Sequence, residues 1–190
     1  IPSAKILDPG CSVVLGDGTG SINLWHDPLR WEKERKERFP RSERFWSLCS
    51  QIHKSNWAFV DRDPILPVRN FWDLSQLIRA IRPSNLLTGV LSKLTITDLL
   101  IITGCHKDRR LRKFLDLQLK LYSQESASRT AALYGSTVLQ MAQSPRGLWH
   151  LYGSMQILSD SLKNSFLRYG GNLLIGHRVT KIVNNKNTNI

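Results

Sequence analysis

Between Asp27 and Tyr122 the sequence is cut into helix-length pieces by its own punctuation. Asp27-Pro28 is a helix start: the carboxylate can accept from the first free N–H groups, and the proline lacks an N–H where none is needed. Pro40 ends that helix. Ser42-Glu43 opens a second, in which Phe45, Leu48, Cys49 and Ile52 share one face and Trp57 lies beyond the end. Asp61–Pro67 (DRDPILP) is irregular. A helix over Phe71–Ile81 follows, with Phe71, Leu74, Leu77, Ile78 and Ile81 on one face, flanked by Arg79 and Arg82, and Pro83 stops it. Ser84-Asn85 begins an apolar helix that carries Leu86, Leu87, Val90, Leu91 and Leu94. Thr97-Asp98 caps a short helix closed by Gly104. Lys107–Tyr122 is a strong helix with leucines on more than one side, as a helix lining an apolar cavity or a buried core helix would have. Ser126 caps Ala127–Ala142, whose Ala131, Ala132, Gly135, Ser136 and Thr137 permit close packing. The result is a mostly helical body without internal repeats.

Sheet brackets that body. Cys11–Leu15 and Ile22–Trp25 are β-prone runs joined by Gly16–Gly20, a hairpin with a Gly-rich loop. The loop lacks Gly-Lys-Ser/Thr and leads into a strand, so it is not a phosphate loop. At the other end a strand finishing at Gly153 leads into a helix over Ser154–Tyr169. Gly170-Gly171 stops the helix, and a turned strand over Leu173–Ile175 and Val179–Val183 follows. The fold class expected is α+β: a helical region over residues 1–147 that begins with the hairpin, and a strand–helix–strand region over 148–190.

The net charge of +12 admits nucleic acid, an anionic membrane surface or an acidic ligand. Basic residues are spread over many elements and many aromatics fall at core spacing, so nucleic acid is not the expected partner. On Trp31–Arg38 the signs alternate at helical spacing, the pattern of a solvated face with i,i+4 pairs. Cys11, Cys49 and Cys105 are scattered, which argues against disulfides and zinc, and the five histidines show no metal spacing. The longest purely apolar run, about Leu99–Ile102, is far short of the roughly 20 residues a membrane span requires. No Gly-x-Ser-x-Gly, His-Glu-x-x-His or Walker loop is present.

Three stretches carry a likeness. Phe114–Leu162 (FLDLQLKLYSQESASRTAALYGSTVLQMAQSPRGLWHLYGSMQILSDSL), Ile22–Pro40 (INLWHDPLRWEKERKERFP) and Arg62–Ser84 (RDPILPVRNFWDLSQLIRAIRPS) agree in order and spacing. In these the chain resembles the flavin-dependent carotenoid desaturase and isomerase family. The resemblance implies an oxidoreductase with FAD as cofactor and a long polyene, a carotenoid, as substrate. It also implies a Rossmann-like FAD domain, a substrate domain and a helical part contacting the cytoplasmic side of a membrane as a peripheral protein, in a photosynthetic bacterium.

Under that resemblance the family's Gly-x-Gly-x-x-Gly is absent here, as is its C-terminal flavin segment. The chain is expected to be a central fragment, inactive by itself and unable to hold FAD well, since the backbone amides that cradle a pyrophosphate are missing. Val179 matches the family's strand residue at the adenine end of FAD. Met155, in Gly153-Ser154-Met155, matches a turn near the substrate cavity, and Gln118 and Tyr122 lie on the helix bordering it. Phe71, Leu74, Ile78, Arg79 and Arg82 become the membrane contact, in keeping with the positive charge. No catalytic acid, base or metal ligand is implied. Desaturation, isomerisation and saturation are not separable from sequence. A non-catalytic membrane- or lipid-binding helical domain and a basic nucleic-acid module are the alternatives.

Overall fold

The computed structural model describes residues 3–81, 91, 93–143 and 147–181. Among them the architecture is α+β, with seven helices and two two-stranded sheets. The chain divides into two units, Ile6–Trp149 and Ile1–Lys5 with His150–Ile190.

The larger unit begins with the hairpin. β2 (Cys11–Val14) and β3 (Ser21–Leu24) pair antiparallel with Cys11 opposite Leu24 and Val14 opposite Ser21. Gly16, Gly18 and Gly20 all have φ between +72° and +82°, a region open to glycine at little steric cost, so the loop sequence makes the turn. Basic side chains then tie the loop down. Lys113 Nζ donates to the Leu15 carbonyl at 2.6 Å, Arg110 pairs with Asp17 at 3.2 Å, and Arg38 donates to the Thr19 carbonyl at 2.7 Å.

Asp27 caps α1 (Pro28–Arg38) by accepting from Leu29 and Arg30 N–H at 2.8 and 2.9 Å, with Pro28 in the first turn. Its solvated face carries Glu32–Lys36 at 2.6 Å and Lys33–Glu37 at 4.0 Å, while the pair Glu34–Arg38 at 3.1 Å turns inward, with the Glu34 side chain 11% exposed. Glu34 also accepts from Trp25 Nε1 at 3.1 Å, which joins the helix to the end of β3.

α2 (Glu43–Val60) buries Phe45, Trp46, Cys49 and Ile52. It continues through Trp57, which therefore lies inside the helix and not beyond it; no proline or glycine stands before Asp61 to stop it. α3 (Phe71–Ala80) comes after the irregular segment. The helix expected from Ser84-Asn85 lies largely outside the described residues.

α4 (Ile96–Ile102) is capped by Thr95, two residues before the expected Thr97. α5 (Arg109–Ser123) is capped by Asp108, whose carboxylate accepts from Leu111 N–H at 2.9 Å. α6 (Ala132–Val138) is shorter than the helix expected over Ala127–Ala142. The first part of that interval bonds elsewhere: Ala127 N–H donates to Asp116 at 2.7 Å, the Ala127 carbonyl accepts from Thr97 at 3.1 Å, and the Thr130 carbonyl accepts from Ile96 at 3.1 Å. Groups committed to α4 and α5 cannot also complete a helical ladder.

The core of this unit is aromatic at its centre. Trp31 and Trp46 meet edge to face at 5.6 Å, and Phe39 packs on Phe114 at 5.0 Å. Ile22, Ile96, Leu99, Leu111 and Leu115 are fully buried around them. Removal of a ring from such a packed centre costs about 3–5 kcal/mol.

β1 (Ala4–Ile6) pairs with β4 (Trp149–Leu151), and the boundary between the two units falls inside both strands. The bonds flanking the pair, Leu7 N–H to the Leu148 carbonyl and Tyr152 N–H to the Ser3 carbonyl, match the end of one segment with the start of the other, so the pair is antiparallel. α7 (Gln156–Arg168) belongs to the smaller unit and buries none of its residues. The strand expected at Leu173–Ile175 and Val179–Val183 does not form over its described part: residues 171–181 have no regular structure apart from a turn at Ile175-Gly176, where Gly176 has φ +78°. A strand requires a neighbour to take up its backbone groups, and no described strand pairs with this segment. Residues 182 and 183 lie outside the described residues.

Candidate functional site

α3 exposes apolar side chains that its amphipathic sequence would bury. Asn70 accepts from Asp73 N–H at 2.8 Å, and Asp73 in turn accepts from Arg69 N–H at 2.9 Å, so the first turn is closed by side chains. At the other end Arg62 donates to the Ala80 carbonyl at 2.9 Å. The residues α3 buries are Asp73 and Ala80, a carboxylate and a methyl. Its large apolar side chains face outward: Phe71 is 91% exposed and Ile78 62%, with Trp72, Leu74 and Ile81 also exposed. Phe71, Leu74 and Ile78 are spaced i, i+3 and i+7 and occupy one side of the helix. Arg79 is exposed beside them. Arg82 lies outside the described residues. An exposed stripe of this kind, edged by a cation, is suited to a lipid interface or another apolar surface.

Gln118 and Tyr122 sit one turn apart on α5 and converge on Cys11 of β2. Gln118 is buried and Tyr122 is half-buried. Burial raises the Cys11 thiol above its ordinary value, partly offset by the nearby Gln118 amide. Burial likewise raises the Tyr122 phenol, with Cys11 adding to the effect. Both groups therefore stay neutral near pH 7. The buried face of α5 is Leu111, Phe114, Leu115, Gln118 and Leu119, while Leu117 and Leu121 are exposed. Gln118 thus occupies a core position near the Cys11 thiol.

Met155 and Val179 belong to the smaller unit. Met155 is 70% exposed at the residue preceding α7, after Gly153 and Ser154 at φ +89° and +66°. Val179 is 76% exposed in the irregular segment after α7. The six site residues named from sequence on described ground outside the Gln118–Tyr122 pair therefore fall on α3 (Phe71, Leu74, Ile78, Arg79) and on the smaller unit (Met155, Val179).

A pyrophosphate cradle needs several backbone amides at a glycine-rich turn between a strand and a helix N-terminus. Gly16–Gly20 joins two strands instead. The turn from β4 to α7 holds a single glycine, Gly153, and β4 is paired antiparallel. The described residues do not fit the phosphates of FAD. Among them no cluster of three or more His, Cys, Asp or Glu side chains can hold a metal, and no helix is long and apolar enough to cross a membrane. The three cysteines are free. Cys49 is buried, which pushes its thiol up to about 12, with the Ser136 hydroxyl beside it. Thiols so placed are poor nucleophiles.

A cleft of about 700 Å³ between α1, α2 and residues 140–143 is lined by none of the residues singled out from sequence. It includes Trp31 and Arg35, which the sign alternation on α1 assigns to a solvated face. The signal that marks them is their i,i+4 spacing, an aromatic ring one turn before a cation.

No family model, curated protein or solved structure matches the chain.

Proposed function

We propose that the chain is the substrate- and membrane-contact part of a flavin-dependent carotenoid oxidoreductase, peripheral to the cytoplasmic side of a membrane. The observation that carries the membrane half of this reading is the outward face of α3, with Phe71, Leu74 and Ile78 exposed and Arg79 beside them. A polyene dissolves in bilayer lipid, so an enzyme that takes it up has to present apolar surface to the bilayer, and a basic edge favours an anionic leaflet. The family assignment is supported by the three stretches Ile22–Pro40, Arg62–Ser84 and Phe114–Leu162. FAD would be the cofactor of the whole enzyme and would supply its redox chemistry. The part assigned to this chain is apolar contact: α3 toward the lipid, and Met155 toward the polyene.

The same face would serve a non-catalytic membrane-binding domain equally well. The coding sequence on either side of this segment separates the two. An in-frame Gly-x-Gly-x-x-Gly following a strand well upstream is the outcome expected of the oxidoreductase. A start codon and a stop codon bounding the segment would overturn it and leave the membrane-binding domain.

A further inference from the structure

The cleft between α1, α2 and residues 140–143 has the volume of a small-molecule site. Its apolar wall is the edge-to-face pair Trp31 and Trp46, with the Arg35 guanidinium 5.5 and 5.2 Å from their ring centroids. Trp31 is 2% exposed and Gln143 6%.

Some polar atoms of the lining residues lack partners, while Trp46 Nε1 donates to Ser42 Oγ at 3.1 Å. Trp31 Nε1, Arg35 Nε, Gln140 Nε2 and both polar atoms of the Gln143 amide are buried and without a hydrogen bond among the described residues. An unmet buried donor or acceptor costs about 1–3 kcal/mol, and folded proteins leave few of them. Five such atoms belong to residues that line one cleft, an arrangement that is a poor solution for folding. Four of them are N–H donors and one, Gln143 Oε1, is an acceptor, so the complementary ligand is rich in acceptor oxygens.

Charge points the same way. The carboxylates at the cleft, Glu32 and Glu43, are taken by Lys36 at 2.6 and 3.9 Å. Arg35 and Lys54 line the cleft with no carboxylate within 4.0 Å among the described residues. Burial lowers the Arg35 guanidinium from its ordinary value, partly offset by Glu32, Cys49 and Glu43.

We propose that this cleft binds a small molecule bearing a phosphate or carboxylate group, with Arg35 and Trp31 donating to its oxyanion and the Gln143 amide reading a neighbouring polar group. Arg35 presents a planar, permanently charged donor edge, which suits an oxyanion better than a lysine would. Trp31 Nε1–H and the Gln140 amide supply further donors. Gln143 offers a donor and an acceptor together, and so selects a ligand with a hydroxyl or amine near its anionic group. Lys54, at the exposed rim, contributes long-range attraction.

Isothermal titration calorimetry of the full chain with sodium pyrophosphate and with trisodium citrate, at matched ionic strength, tests this. Saturable one-to-one binding of at least one probe is expected; a preference for pyrophosphate identifies a phosphate ligand, and a preference for citrate a carboxylate. Arg35→Gln is expected to weaken binding about tenfold or more, since it removes a charge-assisted hydrogen bond. Gln143→Leu should weaken it about threefold to tenfold. Lys33→Gln removes the same charge from a solvent-facing position outside the cleft and should leave affinity within about twofold. Where circular dichroism shows Arg35→Gln unfolded, Lys54→Gln replaces it, with about threefold weakening expected. Absence of saturable heat with both probes overturns the proposal. So does equal weakening by Lys33→Gln and the cleft variant, which would mean attraction to net charge alone.

Discussion

Thr95 and Asp98 close the start of α4 on each other. Asp98 N–H donates to Thr95 Oγ1 at 3.2 Å, and the Asp98 carboxylate accepts from the Thr95 N–H and hydroxyl, each at 2.8 Å. Thr95 also forms an isolated antiparallel bridge with Ala131, and Ile96 N–H donates to the Thr130 carbonyl. One residue thereby caps a helix and fixes the entry to α6. Thr95→Ala is expected to lower Tm by about 2–4 °C and Thr95→Ser by much less, because serine keeps the hydroxyl acceptor. Thermal unfolding followed by circular dichroism measures both; an unchanged Tm for Thr95→Ala would show that the backbone bridge alone holds this junction.

The same pair gives a pH dependence with a definite sign. The Thr95 N–H, and then its hydroxyl, hold the Asp98 carboxyl below its ordinary value of 3.8. A carboxyl with a lowered folded-state pKa stabilises the fold above the unfolded value and loses that contribution as pH falls through the folded value. Asp98→Asn should therefore be less stable than the parent near pH 6, and the gap should narrow as pH falls below 3.8. Urea midpoints at the two pH values provide the comparison, and a gap that persists in acid would contradict it.

Gly135 has a packing reason for being glycine. A Cβ built there would meet Ile96 Cγ1 at 2.5 Å and Cδ1 at 2.7 Å, with Thr130 Cγ2 at 3.2 Å. In an exposed helix interior Gly→Ala gains about 0.5–1 kcal/mol. Here overpacking of about 1–3 kcal/mol outweighs that gain. Gly135→Ala is expected to lower the urea midpoint at unchanged m, and Ile96→Val in the same chain to recover part of the loss by removing Cδ1.

Cys49 makes the fold sensitive to alkali. Its thiol ionises at about 12 in the folded chain, against 9.0 ordinarily, because burial penalises the thiolate. Between these values the unfolded state has released its proton and the folded state has not. Stability contributed by the neutral thiol is thus full below pH 9 and falls with rising pH, with a limiting slope of about 1.4 kcal/mol per unit for one group. Cys49→Ala should show a shallower decline than the parent between pH 9 and 10.5. Equal slopes in the two chains would assign the alkaline loss to other groups.

Much of the larger unit is legible in the sequence because its local signals are reinforced by tertiary structure. Asp27-Pro28 starts a helix, and Gly16–Gly20 turns a hairpin, because caps and positive-φ glycines act within a few residues. The cap of α4 is misplaced by two residues because Thr95 and Thr97 carry the same hydroxyl, and what selects Thr95 is its bridge to Ala131. The segment at Ala127–Thr130 reads as helix from its small residues, yet its backbone groups are taken by Asp116, Ile96 and Thr97, contacts no local pattern displays. The apolar run at Leu173–Ile175 reads as strand, and the missing ingredient is a neighbouring strand. For the sites, the amphipathic spacing of α3 identifies its stripe without saying whether core or solvent meets it. Gln118 carries no sequence mark of its approach to Cys11, and Gln143 none of its burial.

The outward face of α3 also separates binding from folding. Phe71 and Ile78 are exposed and contribute little to the core, so Phe71→Ser with Ile78→Ser should leave thermal stability within about 0.5 kcal/mol of the parent. Burial of two such side chains in a lipid interface is favourable by roughly 1.5–3 kcal/mol each where complete, so the double variant should bind vesicles at least about tenfold more weakly. Arg79→Glu acts through charge and should reduce pelleting with vesicles containing phosphatidylglycerol while leaving that with pure phosphatidylcholine unchanged. Co-sedimentation across a lipid titration reads all three variants. Equal pelleting of the parent and the double variant would remove α3 from the membrane contact, and the stability measurement ensures that a loss of pelleting is not a loss of fold.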